Sequence, residues 1–371
     1  MSLRERILLF LHRRLFSVFA GMKTGDWLRL LEENDYAIDI AHWPRAALIT
    51  MGALSNSDQA RIEEGQHGQA IAAAEVPPPL FILGHWRSGT THLHNLLCLD
   101  RRFAFPNNFQ TAFPHTFLTA EDKFKAMTGL LMPERRPQDN VRVEVGMPQE
   151  DEFGLCVATL CSPYLGWMFP HRERYYDRYL TMHEVAEPEL ARWRAGFLWF
   201  LKKLTVKYGR PMLLKSPPHT ARLGLLLDMF PQARFVHIHR DPYTIFQSTR
   251  KLHDTVVVAN HVTRPSQTDP AEGILRRFSL MYDAFFEERR RIPPGQFCEI
   301  AFTDLERDAV GQVQTIYQQL GLGGFDSVEV ELRRYLSTVA DYRKNEYAPL
   351  KPAMRRRVAT QWRRAFEEWG Y

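Results

Sequence analysis

Apolar residues recur along this chain with two spacings. Short runs at Leu80–Leu83, Pro211–Leu214, Arg234–His239 and Phe297–Phe302 have the length and residue types of buried strands. Apolar positions at helical spacing follow each run. Leu93, Leu96 and Leu97 come after the first, and a helix over Thr220–Phe230 after the second. A helix through about Leu252 follows the third, opened by Asp241 and Pro242 as N-cap and first helical residue. The fourth is followed by a helix with Val313, Ile316 and Tyr317 that stops at Gly321. Strands alternating with helices predict an α/β fold: a central, mostly parallel sheet flanked by helices, with ligands at the carboxyl ends of the strands. Gly84, Lys215 and Arg240 all fall at such ends.

The remainder is mainly helical in pattern. Ile7–Phe19 is apolar with Arg13 and Arg14 in its middle, and its longest unbroken run, Ile7–Leu11, is too short to span a bilayer. Two readings stay open here: a helix packed on the protein body, or a basic amphipathic helix giving peripheral membrane contact through residues 4–20. Residues 25–50 mix helix and loop signals, Ser57–Ala74 reads as a polar helix, and Pro77-Pro78-Pro79 ends it. Trp193, Phe197, Leu198 and Leu201 share a helix face. Residues 254–270 read as a loop and Ile274–Arg291 as a helix. The basic tail, Ala340–Tyr371, reads mostly as solvated surface. The expected division is an N-terminal helical extension, 1–75, packed on one domain, 76–371, with a helical insert at about 120–208.

Composition narrows the function classes. The 371 residues are 45% hydrophobic and 25% charged, ordinary for a globular protein with a sizeable core. A net charge of +5 suits anionic ligands. There is no zinc-finger spacing, recognition motif or long Lys/Arg run, so no nucleic-acid partner is expected. Cys98, Cys156, Cys161 and Cys298 form no C-x-x-C pair, so reduced thiols in a cytoplasmic protein are expected. The histidines are scattered, without H-E-x-x-H, so no metal is expected.

The densest chemistry lies directly after the first strand, in Gly84-His85-Trp86-Arg87-Ser88-Gly89-Thr90-Thr91. A strand, a glycine-bearing turn and a helix N-terminus converge free N–H groups and the positive end of the helix dipole on one anion. The spacing of Gly84 and Gly89 matches the nucleoside-triphosphate loop, but Thr90 stands where that loop needs Lys. The loop's cation is instead Arg87, which suits an anion other than a triphosphate.

The segment Arg87-Ser88-Gly89-Thr90-Thr91 resembles the 5′-phosphosulfate loop of the sulfotransferases, which use 3′-phosphoadenosine 5′-phosphosulfate (PAPS) as donor and release 3′-phosphoadenosine 5′-phosphate (PAP). Arg234–Pro242 followed by Ser248 resembles their 3′-phosphate motif, an Arg at a strand end and a Ser on the next helix. Leu213-Leu214-Lys215-Ser216-Pro217 resembles their strand-end Lys motif, with Pro217 where the cytosolic branch has its basic His and His219 two residues on. Phe302-Thr303-Asp304-Leu305 resembles a segment whose aromatic ring packs on adenine, while His92 stands where the cytosolic enzymes stack a Trp. Arg343-Lys344-Asn345 is loosely similar to a C-terminal phosphate clamp, and Pro148–Phe153 looks like a segment of bacterial members.

The resemblance implies a P-loop-like sulfotransferase architecture and sulfuryl transfer from PAPS to an acceptor hydroxyl. It implies that Ser88, Gly89, Thr90 and Thr91 hold the 5′-phosphate, that Arg240 and Ser248 hold the 3′-phosphate, and that Phe302 stacks on adenine. Arg87 and Lys215 would stabilise charge on the departing oxygen. Four residues compete as general base: Glu150, Glu152 and His219 level, His115 behind them. The acids at Glu150–Glu152 read equally well as a plain helix start. The aromatic series Phe103, Phe105, Phe109, Phe113 and Phe117 is core or the lining of an apolar pocket for a small, lipid-like or phenolic acceptor. Two other classes remain: a P-loop kinase needing ATP and Mg²⁺, and a non-catalytic nucleotide-binding module. The sequence carries no signal for an oligomeric state.

Overall fold

The computed structural model describes residues 17–131, 144–265, 269–340 and 345–371, with backbone alone for 125–131. Most of Ile7–Phe19, together with Arg343 and Lys344, lies outside the described residues. The chain divides into two compact units.

The first is Pro77–Phe105, Arg210–Lys251 and Asp269–Tyr371. Its strands are β1 Leu80–Leu83, β2 Leu213–Lys215, β3 Arg234–His239 and β4 Phe297–Ala301. They form a wholly parallel sheet in the order β2-β1-β3-β4. Both faces of β1 are covered, hence its unbroken apolar run rather than an alternating one. Leu80 and Ile82 join Leu93, Leu96, Val236, Ile238 and Ile300 in one core. On the other face Phe81 stacks on Phe235 with centroids 5.5 Å apart. The register pairs Ile82 with Lys215 and Leu83 with His237, so the tips of β2, β1 and β3 lie side by side. β1 is followed on one side by β2 and on the other by β3, which makes its carboxyl end a switch point of the sheet.

Local chemistry moved several boundaries. Pro217 and Pro218 tighten the residues after β2 into a 3₁₀ turn, Pro217–Ala221, so the next helix is only Leu223–Met229. Phe302 does not end β4 but opens a helix, Phe302–Arg307. The expected loop 254–270 instead continues in helical turns, His253–Val257 and Val258–Asn260. The following helix starts at Pro270, because the Asp269 side chain caps Ala271 N–H at 2.9 Å and Pro270 takes the first position. The tail's arginines are largely exposed, but its aromatics are not mere surface. Trp362 stacks on Phe278 at 3.7 Å, and Trp369 lies parallel to His239 at 4.9 Å.

The second unit, the described residues of Met1–Val76, Pro106–Gly209 and Leu252–Thr268, is helical. Its longest elements are Trp43–Ala73 and Glu187–Tyr208. The mixed helix and loop signals up to residue 50 and the helix expected from Ser57 resolve, from residue 43 on, into one continuous helix, Trp43–Ala73, with Pro44 in the first turn. Buried Lys203 pairs with buried Glu63 and also meets the Trp199 ring at 4.6 Å. Within the aromatic series Phe109 and Phe117 are core, and Phe117 meets Phe200 edge-on at 6.1 Å.

Candidate active site

β1 ends at Gly84, whose φ of +143° is closed to other residues without strain. A Cβ there would lie 2.6 Å from the Ile238 carbonyl and 2.7 Å from Ser88 Oγ. The loop is pinned from outside. Gly84 N–H donates to Thr220 Oγ1 at 2.7 Å, and His85 N–H to the Tyr282 hydroxyl at 3.1 Å. Ser88 N–H closes the turn on the His85 carbonyl at 3.1 Å. Arg87 itself has φ of +72°, so the loop's cation sits on left-handed backbone. Gly89, at φ +105°, is the N-cap of the helix Thr90–Leu97. The first intrahelical bond runs from Leu93 N–H to the Gly89 carbonyl, so the amides of Thr90, Thr91 and His92 have no acceptor inside the helix.

Three strand tips meet at this turn. Arg87 Nε donates to Ser248 Oγ at 2.8 Å, and the Tyr347 hydroxyl bonds the same oxygen at 3.0 Å. Arg240 Nη1 donates to the Arg87 carbonyl at 3.3 Å, and its guanidinium lies 4.2 Å over the Phe302 ring. That ring occupies the space over Gly89, where a Cβ would come within 2.2 Å of it. The residue-240 guanidinium therefore turns toward the glycine loop. Lys215, at the end of β2, is buried, two strand positions from Gly84 by register.

The electrostatics are simple. Burial pushes the His85 imidazole down to about 3 and the His239 imidazole, with help from His237, to about 4, so both are neutral near pH 7. Burial, together with the nearby Arg87 charge, lowers Arg240 from the ordinary arginine value, but a guanidinium stays charged. The guanidinium groups at the turn are thus those of Arg87 and Arg240, with the Lys215 side chain at the neighbouring strand end. Ser88 Oγ is fully buried with no hydrogen-bond partner, a polar atom awaiting an acceptor or donor at the helix mouth.

The candidate bases are placed unequally. His219 sits in the 3₁₀ turn with its ring edge-on to Phe81 at 5.5 Å, fully buried beneath the sheet. In the helical unit, Glu150 is the N-cap position of Asp151–Thr159 and accepts from the Tyr164 hydroxyl at 2.5 Å. Glu152 is fully buried and accepts from Ser162 Oγ at 2.6 Å. His115 packs against Trp199 at 5.3 Å, and burial followed by the charges of Lys23 and Lys203 takes it down to about 3. Tyr347, Thr220 and Tyr282 were not foreseen. The first follows the loosely clamp-like Arg343-Lys344-Asn345. Tyr282 shares the apolar helical period of Leu275, Phe278 and Phe285, which marks it as core but not as a partner of the loop, and no periodicity marks Thr220.

Comparison with known proteins decides the class. A sequence model described as "Sulfotransferase family" matches residues 78–327. The chain belongs to the sulfotransferase family. It is 35% identical over 355 residues to omega-hydroxy-beta-dihydromenaquinone-9 sulfotransferase Stf3 of Mycobacterium bovis and, equally, of Mycobacterium tuberculosis, an alignment covering 95% of this chain and 91% of the relative. Among solved structures it resembles sulfotransferase STF9 from Mycobacterium avium, with TM-score 0.69 and 18% identity over 99% of this chain and 95% of that one. It also resembles STF1 from Mycobacterium tuberculosis, with TM-score 0.62 and 19% identity over 92% and 93%. The enzyme is therefore a transferase with the P-loop-like sulfotransferase fold, and neither a kinase nor a non-catalytic module describes it.

Proposed function

We propose that this sulfotransferase takes PAPS as its donor and sulfates a hydroxyl on a lipid-like acceptor. The observation carrying the donor reading is the node at the glycine turn: Arg87, Ser248, Arg240 and Phe302 in mutual contact above the helix mouth. The residues fit a doubly phosphorylated adenosine. The amides of Thr90, Thr91 and His92 with the unpartnered Ser88 hydroxyl make a cradle for one phosphate. Arg240 and Ser248 offer donors to a second. Phe302 offers a ring face, already used by a guanidinium, to the base.

Bound PAPS would supply the activated sulfuryl group. The chain's own part is electrostatic. Arg87 and Lys215 hold positive charge where the departing oxygen gains negative charge, fixed before reaction and therefore effective. Of the candidate bases, Glu150 alone is half-exposed, while Glu152, His219 and His115 are buried. Glu150 is accordingly assigned the proton, with the Tyr164 hydroxyl holding the carboxylate in one orientation.

The acceptor class rests on the relative named for an omega-hydroxylated dihydromenaquinone, 35% identical across nearly the whole chain. Transfer of radiolabelled sulfate from PAPS should be measured to hydroxylated isoprenoid quinols, simple phenols and sugars. Labelled isoprenoid product supports the reading, and labelled phenol or sugar alone defeats it.

A further inference from the structure

The helix Trp43–Ala73 is apolar on two faces over its first turns. Its inner side buries Ala46, Ile49 and Ala53. Its outer side leaves Trp43 64%, Met51 66% and Leu54 58% exposed, with Ile40 just ahead at 80%. Positions 43, 47, 51 and 54 follow helical spacing, with Leu48, 42% exposed, next to Ala47 and three positions before Met51, so the exposed groups form one stripe that Ile40 extends from the preceding turn. Further along, the outer side turns polar at Asp58 and Arg61, which pair with each other at 3.0 Å. A helix apolar all round ordinarily has both sides covered. Several exposed large apolar groups in one stripe mark an interaction surface, unlike the same groups scattered singly.

We propose that the stripe Ile40, Trp43, Leu48, Met51 and Leu54 seats on an anionic lipid surface. Trp43, and Tyr36 at 61% exposure, are of the type that favours the headgroup level, with an apolar ring and a polar N–H or O–H. The chain supplies matching charge. Residues 1–16 carry Arg4, Arg6, Arg13 and Arg14 against Glu5 alone. The described structure begins just after that segment, and residues 20–22 pack on the inner side of the same helix, where buried Asn56 Nδ2 donates to the Ala20 carbonyl at 2.9 Å and the Met22 carbonyl at 3.2 Å. No helix among the described residues is long and apolar enough to cross a membrane, and a stripe along one side of a helix makes a contact that lies on the surface. Such seating brings the enzyme to a lipid-borne acceptor. It uses the lipid-acceptor reading for its purpose but takes its support from the stripe.

Flotation with vesicles of phosphatidylglycerol and phosphatidylcholine tests this on the full chain, with the triple variant Trp43→Ser, Met51→Ser, Leu54→Ser as the probe. The wild type should float, and the variant should lose at least about tenfold in partition. The variant should keep its melting temperature and its affinity for PAP by calorimetry, which shows that the loss is not unfolding. Equal flotation of both proteins, or none by the wild type, overturns the proposal. So does light scattering that shows a wild-type dimer split by the substitutions, which would assign the stripe to a second copy. Flotation does not depend on the acceptor, so failure of the lipid-acceptor reading would leave this result standing.

Discussion

The two units of this enzyme carry chemistry in opposite ways. In the α/β unit the candidate groups hang from strand tips and one glycine turn, where backbone amides open the helix Thr90–Leu97. In the helical unit the acids are side chains held by other side chains, Glu150 by Tyr164 and Glu152 by Ser162, among packed aromatic rings. The contrast teaches where precision comes from. A phosphate cradle built of amides requires one local geometry, and that geometry requires Gly89 and Gly84 at fixed places. A carboxylate oriented by a distant tyrosine needs only a rotamer and a neighbour, which many sequences provide.

The contrast can be broken at its strongest point first. Arg87→Ala should lower kcat by roughly 10²–10³-fold, the usual loss when a preorganised charge-stabilising donor is removed. Single-turnover kinetics with saturating donor would check this, and a variant with near wild-type kcat would remove Arg87 from the reaction. Arg240→Ala should act on binding instead, raising the donor KM by roughly 10–100-fold with a smaller change in kcat, because charge-assisted bonds to one phosphate are lost. Gly89→Ala should cost about 1–3 kcal/mol of stability through its left-handed φ, and it should also displace the Phe302 ring. A denaturant melt alongside nucleotide titration would separate the two effects.

In the helical unit the expected effects are smaller. Tyr164→Phe should reduce kcat about five- to tenfold with donor KM unchanged, since it removes one hydrogen bond and keeps the ring packing. A changed donor KM would place Tyr164 at the wrong end of the reaction. The mildest test returns to the α/β unit, at Glu299 on β4. Burial raises its pKa, but the His237 hydrogen bond and the charges of His237, His239 and Arg289 lower it further, to about 2. A carboxyl held below its ordinary value stabilises the fold above pH 4.5, and that contribution fades as pH falls toward 2. Glu299→Gln should therefore flatten the loss of thermal stability in that window.

This division also explains what could be read in advance. The strands β1 and β3 appear in the sequence with their observed limits, because Pro79 and Gly84 flank the first run directly and Pro231 and Asp241 stand close to either end of the second. Arg87, Ser88, Gly89, Thr90 and Thr91 share a motif because they share one turn. Tyr347 escaped notice since its role depends on a chain segment folding back over the helix Pro242–Leu252, where Gln247 and Lys251 also bond to Ala348 and Asn345. Trp362 and Trp369 looked like part of a solvated basic tail, and only tertiary packing on Phe278 and His239 shows otherwise. The start of the Pro270 helix was missed because the cap at Asp269 lies inside a polar stretch with no apolar period.

The central claim is that the strand tips read two phosphates on one adenosine. Calorimetric titration with PAP and with adenosine 5′-phosphate, on wild type and Arg240→Ala, tests it most directly. The account predicts roughly 10–100-fold tighter binding of the doubly phosphorylated nucleotide by the wild type, and a preference largely erased in the variant. Equal affinity of the wild type for the two nucleotides would contradict it.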